Sequence, residues 1–323
     1  MTLVVLGIDA LDPGLVNPDD HSNLILEDYR TIETLVSSSG EPSTHELWPT
    51  IITGLTPAEH GLQLDDGVAW SNPLLDIGSR IGDYVLPDWI QTKVGAWLLN
   101  RTSEDAFRVP ASYYEGHVST VFDGTASLQV GIPNFVVDPD SEDREHQIRR
   151  SMGDLFERDP EAKGGHKSAD IQAFYERCME MMMIRIARVR RGLRGRQYEL
   201  VFGYTSGLDL IGHVSHARPE VQAQAYDELN QFVGELQSDL CDEDELVLLS
   251  DHGLQDGLHT EQAMISATNP TIINSIESVL DVRSAIESEL SRTNHLSESP
   301  WKQSPNNVSS DAVREQLEDL GYM

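Results

Sequence analysis

Lysine is nearly absent from this chain of 323 residues: only Lys93, Lys163, Lys167 and Lys302 occur, and with arginine included 23 basic side chains stand against 54 acidic ones. The formal net charge is −31. Phosphate backbones are captured by basic patches, so this charge argues against a nucleic-acid-binding module. The one basic stretch, Arg185 to Arg196, falls at the end of an expected helix, where positive charge suits the helix dipole. Cysteine is scarce too: Cys178 and Cys241 are too few and too isolated for a disulfide framework or a zinc ribbon. Cys178 lies on the helical apolar stripe Ile171, Phe174, Cys178, Met182, Ile186, Val189 and is expected in the core. No apolar run approaches the roughly 20 residues of a membrane-spanning helix. With a first strand expected from Leu3 there is no secretory signal, and a cytoplasmic location is the expectation.

The acidic residues are spread along the whole chain instead of gathering in a tail. An even acidic excess with almost no lysine reads as a surface adapted to concentrated salt, where screening removes self-repulsion over a few ångströms. The expected source is a halophile that keeps molar salt in its cytoplasm.

Strand and helix patterns alternate, which predicts an α/β fold with a mostly parallel central sheet, helices on both faces and a small inserted cap. Strands are expected at 3–9, 93–98, 198–205 and 245–250, with helices near 27–37, 48–54, 79–92, 168–191, 217–239 and 276–290. Pro87 argues against an unbroken helix at 79–92. Residues 1–290 read as one catalytic domain, with the cap at about 105–165, where short strand-like pieces (Val118 to Phe122, Leu128 to Val130) sit among Pro, Gly and acidic residues. Residues 291–308, rich in Ser, Asn and Pro, read as a linker, and 309–323 as a closing helix.

Chemistry-bearing residues gather at the expected strand ends. Asp9 closes the apolar run Leu3 to Ile8; an Asp after a first strand more often caps a turn than binds a metal. Asp209 and His213 follow the stretch Glu199 to Tyr204, and their i,i+4 spacing lets a carboxylate and an imidazole face one cation. Leu246 to Ser250 runs directly into Asp251-His252-Gly253, where the glycine permits the turn that brings both side chains round, and His259 follows seven residues after His252. Any one of these histidines reads more simply as a hydrogen-bonded, partly buried imidazole. Together they form an inventory suited to divalent metals, since imidazole is the commonest metal ligand and carboxylates neutralise charge.

A nucleophile belongs near such metals, and residues 42–61 supply candidates. The pattern Thr53-Gly54-x-x-Pro57-x-x-His60-Gly61, with Thr44 nine residues before Thr53, resembles the alkaline phosphatase superfamily, closest to its type I phosphodiesterase and nucleotide pyrophosphatase branch. The resemblance covers residues 3–9, 40–62, 198–213 and 245–260. It implies a phosphate-ester hydrolase with two divalent metals, zinc in preference to manganese. One would be held by Asp9, Thr44, Asp251 and His252, the other by Asp209, His213 and His259, with Thr44 as nucleophile and a phosphothreonine intermediate. His60 is expected to serve packing and the turn, and His45, His166 and His216 to lie at the surface or behind the site. Relatives usually carry Asn three residues after the nucleophile; here that position is Leu47, so either another donor, His45 or a backbone amide near Thr44, replaces it or the preferred substrate differs from nucleotides. Trp48 matches a tryptophan of prokaryotic relatives and reads as a core aromatic. A small phosphate ester is the expected substrate. A phosphomonoesterase or phosphomutase is the alternative; a sulfatase is disfavoured because no Cys-x-Pro-x-Arg sequence occurs, and a non-catalytic binding protein because every ligand position is filled.

The acidic surface makes one direct prediction. At about 0.01 M salt the Debye length is about 30 Å, long enough for carboxylates to repel across the molecule. Circular dichroism melts from about 0.1 M to about 3 M KCl should show a rising midpoint, and a flat profile would refute the salt adaptation.

Overall fold

Unbroken apolar runs decide the centre of this molecule, because a strand without a polar face must be covered on both sides. The computed structural model describes residues 1–37, 40–63, 109–137 and 144–292, apart from Asp154, Pro160 and Gly164. In chain order its elements are β1 (Leu3–Ile8), α1 (Ser22–Ile25), β2 (Asp28–Glu33), α2 (Thr44–Thr53), α3 (Pro57–His60), β3 (Ser127–Val130), α4 (Arg144–Ser151), β4 (Glu157–Arg158), β5 (His166–Lys167), α5 (Ile171–Gly195), β6 (Leu200–Thr205), α6 (Gly207–Ser215), α7 (Pro219–Gln237), β7 (Glu245–Leu249), β8 (Gly253–Gln255), β9 (Leu258–Thr260), β10 (Gln262–Ala267), α8 (Pro270–Ile273) and α9 (Val282–Arg292).

The main sheet has the order β2-β10-β7-β1-β6-β3. Strands β3, β6, β1 and β7 run parallel, and β10 lies antiparallel to both β7 and β2. Successive side chains of β1 divide between two cores. Val4, Leu6 and Ile8 pack with α5, α6 and α7, where Phe174, Cys178, Met182, Ile186 and Val189 form the expected stripe. Leu3 and Val5 face α2, α8 and α9 through Leu47, Trp48, Ile51, Ile52 and Val282. The register pairs Gly7 with Leu249 and Ile8 with Thr205, so its continuation sets Asp9 level with Asp251 just past the sheet edge.

Several expectations change. The helix expected near 27–37 is instead the edge strand β2, whose Tyr29, Thr31 and Ile32 favour extended backbone and whose pairing with β10 overrides helix propensity. Val118 to Phe122 forms no strand; it makes turns fastened by Val121 N–H to the Ile52 carbonyl at 2.9 Å. Ser127–Val130, within the segment expected as a cap, is a strand of the main sheet beside β6, at its edge among the described residues. The last described helix begins at Val282 after a single tight turn and runs past the expected end of the domain to Arg292. The helix at 79–92, the strand at 93–98 and the closing helix at 309–323 lie outside the described residues, as does the linker beyond Arg292.

The basic stretch of α5 is taken up by ion pairs. Arg190 binds Asp239 at 2.6 Å and also Glu235, Arg194 binds Asp239, and Arg196 binds Asp244. Arg185 turns inward to the buried Glu145, which the half-exposed Arg188 also reaches at 3.5 Å.

Gly7 fixes how closely α2 approaches the sheet: a β-carbon there would lie 2.2 Å from Cη2 of Trp48, which is itself fully buried against Phe202 and Tyr204. Gly7→Ala should therefore lower stability by about 1–3 kcal/mol through overpacking. Urea midpoints measure it, and Trp48→Phe in the same chain should recover part of the loss; additive losses would mean the contact is not the cause.

Candidate metal centre

Parallel strands deliver their C-terminal ends to one edge, and ligands of open α/β sheets bind there. Asp9 follows β1, with its N–H bonded to the Thr205 carbonyl at 2.9 Å, and Ala10 takes a left-handed backbone (φ 59°) that turns the chain away. Such a conformation in a residue with a side chain is strained, and strain of this kind collects at functional sites. Asp251 and His252 follow β7 and are fully buried. Asp209 and His213 lie one turn apart on α6, directly after β6. Thr44 opens α2.

The expected residues come together. Thr44 Oγ1 donates to Asp9 Oδ1 at 3.3 Å and lies 3.2 Å from His252 Nε2. His252 Nε2 also lies 3.3 Å from Asp9 Oδ1 and 3.5 Å from Asp251 Oδ2. On the other side, Asp209 Oδ1 is 3.3 Å from His213 Nε2 and 3.4 Å from His259 Nε2, and these two ring nitrogens are 3.1 Å apart. Candidate ligand atoms cluster within 4.8 Å in two groups, Asp9-Asp251-His252 and Asp209-His252-His259. His252 is thus close to both groups, a sharing that spacing along the chain does not reveal.

Two imidazoles are already oriented. His252 Nδ1 donates to the Gly253 carbonyl and His259 Nδ1 to the Pro42 carbonyl, each at 3.1 Å, which leaves both Nε2 atoms facing inward. A backbone acceptor on the outer nitrogen is the usual means of aiming a metal-binding histidine. His259 arrives on the β8–β9 hairpin, whose two-residue turn Asp256-Gly257 has positive φ at both positions (53° and 79°). Asp-Gly is a strong signal for this turn. The hairpin is tied back to the first loop by Asp12, a buried residue missed in the sequence, which accepts from Gly14 N–H at 2.7 Å, Gln255 Nε2 at 2.8 Å and Thr260 Oγ1 at 3.0 Å. Tyr204 was missed as well; it is buried in β6 and donates to Asp9 Oδ2 at 2.5 Å. Its position inside an apolar run carries no polar signal.

The electrostatics call for cations. Burial and the nearby Asp209 carboxylate push Asp251 up to about 6, and burial, Asp251 and Asp209 hold Asp9 well above the usual carboxylate range. Burial also opposes charge on Asp209, but His213 and His259 overrule it and keep this group well below that range. Burial likewise works against a charged His259, and Asp209 lifts it to about 9 regardless. Both oxygens of Asp251 are buried with no hydrogen-bond donor. An unpaired buried carboxylate is costly, and a divalent cation is the partner that this nitrogen-and-oxygen donor set fits.

The remaining expected residues take their places around this centre. His60 is buried, with Nε2 3.1 Å from Thr50 Oγ1 and Nδ1 accepting from Leu62 N–H at 3.2 Å, and burial lowers it to about 4. It braces the turn after α2. Leu47 is 1% exposed and belongs to the core, so it offers nothing to a substrate. Ser43 gives α2 no side-chain cap. Asn134, in left-handed backbone (φ 55°), donates to the His45 carbonyl at 3.0 Å and so fixes the first turn of α2.

A family model described as type I phosphodiesterase / nucleotide pyrophosphatase matches residues 3–269. The chain belongs to this family of phosphoric ester hydrolases. No curated protein sequence matches. Among solved structures, murine ectonucleotide pyrophosphatase / phosphodiesterase 5 is 14% identical at a TM-score of 0.43, covering 78% of this chain, which spans 57% of that protein's length. Alkaline phosphatase from the Antarctic bacterium TAB5 is 12% identical at a TM-score of 0.43, covering 91% of this chain and 98% of its own. Phosphonoacetate hydrolase from Sinorhizobium meliloti is 14% identical at 0.41, covering 78% and 56%. The family match covers all seven site positions from Asp9 to His259. No described helix of this phosphodiesterase-family chain is long and apolar enough to cross a membrane.

Two donor groups predict two metals. Protein stripped by a chelator and returned to excess zinc or manganese should retain close to two ions per chain by elemental analysis, and its melting temperature should rise, because ligands that bind only the folded state stabilise it. Asp251→Asn should reduce both effects. Wild-type protein that takes up no metal would overturn the reading of these residues as ligands.

Proposed function

We propose that this chain is a two-metal phosphodiesterase or nucleotide pyrophosphatase that acts on small phosphate esters through Thr44, in concentrated salt. The observation that carries the reading is the placement of the Thr44 hydroxyl between Asp9 and His252, at 3.3 and 3.2 Å, beside an Asp251 whose two oxygens lack donors. A hydroxyl held there, beside a buried carboxylate pair, supports reading Thr44 as the nucleophile.

Asp9, Thr44, Asp251 and His252 would hold one divalent ion, and Asp209, His213 and His259 the other, with zinc favoured over manganese by the imidazole content. Such ions supply Lewis acidity at the attacking and leaving oxygens. Asp9 and His252 orient Thr44 Oγ1 toward the substrate. Attack forms the Thr44 Oγ1–P bond as the hydroxyl proton is given up to solvent and the bond from phosphorus to the departing alcohol or phosphate breaks, the electron pair leaving with that oxygen. Water entering from the vacated side then cleaves the phosphothreonine and restores the hydroxyl. Two in-line displacements give net retention at phosphorus.

The first turn of α2 takes over from the missing asparagine side chain. Thr44 is the first residue of a ten-residue helix whose Ser43 leaves the N-terminus without a side-chain cap, and amides at a helix start bind phosphoryl oxygens. His45 contributes no charge, because burial and the nearby Arg149 lower its imidazole to about 3.

Thr44→Ala should reduce kcat by several orders of magnitude with bis-p-nitrophenyl phosphate while leaving metal content close to wild type, since carboxylates and imidazoles still hold the ions. Ser43→Ala should be mild. The reverse pattern would move the nucleophile by one residue, and a preference for p-nitrophenyl phosphate over the diester would replace the diesterase with a phosphomonoesterase.

A further inference from the structure

Asp9 has two oxygens, and the structure gives them different partners. Oδ1 faces Thr44 Oγ1 and His252 Nε2, both at 3.3 Å, on the side where Asp251 and His252 converge. Oδ2 points back into the sheet, where the Tyr204 hydroxyl donates to it at 2.5 Å. A carboxylate with one oxygen so occupied is restrained from rotating about its last torsion and presents the other oxygen in a single direction.

Tyr204 is itself held on every side. Its ring meets Trp48 edge-on at a centroid distance of 4.9 Å, and the guanidinium of Arg185 lies over it at 5.4 Å. Arg185 also donates from Nη1 to the Tyr204 carbonyl at 3.1 Å and to the Gly131 carbonyl at 3.0 Å, tying the ends of β6 and β3 together. The buried Glu145 of α4 neutralises that guanidinium. A lone buried cation here would be costly, and the carboxylate removes the cost while restricting where the guanidinium can sit. Within this chain of contacts, Tyr204 alone touches a candidate metal ligand.

We propose that Tyr204 is a positioning residue for the Asp9-Asp251-His252 ion: its hydroxyl occupies Asp9 Oδ2 so that Oδ1 serves as a one-oxygen ligand beside Thr44, with Arg185 and Glu145 holding the tyrosine in place. This inference rests on the reading of Asp9 as a metal ligand. Outer partners of ligating groups typically contribute about 10- to 100-fold in metal affinity or activity.

The test is zinc competition against a chromophoric chelator, using the full chain freed of metal. Tyr204→Phe removes the donor but keeps the ring against Trp48 and Arg185. One of two zinc equivalents should weaken by about 10- to 100-fold while the other is unchanged, and the urea midpoint of the zinc-free variant should confirm that it folds. Trp48→Phe, which disturbs the same ring contact without removing the hydroxyl, should leave both equivalents near wild type; equal weakening there would assign the effect to packing and overturn the proposal. Asp251→Asn separates the remaining outcomes. If Asp251→Asn loses one equivalent and Tyr204→Phe loses none, Tyr204 does not position the ligand although the metal site stands. If Asp251→Asn also binds two zinc ions as wild type does, the ligand assignment fails, and this inference falls with it.

Discussion

The constraint on which the structure depends is the convergence of negative charge in a largely buried place. Asp9 and Asp251 sit side by side past the ends of β1 and β7, almost fully buried, and Asp209 faces them from α6. Protein atoms supply few donors: Thr44 and Tyr204 donate to Asp9, while Asp209 Oδ1 and both oxygens of Asp251 have none. Taking a carboxylate out of water costs on the order of several kcal/mol even after relaxation. The stability of this corner is therefore tied to what binds there, and folding and cation binding are expected to be linked.

The scaffold keeps this corner from relaxing. Two apolar layers clamp β1 between β6 and β7, so Asp9 and Asp251 cannot draw apart without breaking the register of the central strands. Gly7 lets Trp48 approach the sheet, and Trp48 in turn brings in the helix that begins with Thr44. The hairpin carrying His259 is fastened by Asp12, three residues after Asp9, so one short loop positions a candidate ligand and also anchors the element that brings another. Rigid elements supply the directions, and the backbone acceptors of Gly253 and Pro42 complete the aim of two rings.

Much of this was legible in the sequence because most of the candidate ligands follow an apolar run that reads as a strand. Leu3 to Ile8 and Leu246 to Leu249 are strands by their uninterrupted apolar character, and the residues that end them stand at the sheet edge by necessity. Asp209 and His213 are readable because helical spacing pairs them. Tyr204 and Asp12 were not legible. Their roles depend on partners 195 and 243 or more residues away, and locally one is another aromatic in a strand while the other is an Asp in a Pro-Gly turn. The β2 segment misled for a related reason: its pairing with β10, more than 200 residues on, decides its form, and local propensity does not carry that information.

Surface and site place opposite demands on one field. A chain with a net charge of −31 repels the phosphate ester proposed as its substrate, and the repulsion acts at long range in dilute salt. At about 1 M ionic strength the Debye length falls to about 3 Å, shorter than the distance from most of the surface to the site. Only the nearest groups then act on the incoming anion, and these are the first turn of α2 and the ions that the carboxylates are arranged to hold. The same salt screens exposed ion pairs, so Lys163 with Asp256 contributes less than its 2.9 Å contact suggests. The half-buried and buried interactions, Tyr204 with Asp9 and Arg185 with Glu145, are screened far less. In concentrated salt the enzyme's order therefore resides in what it has taken out of solvent, which is where its candidate ligands are.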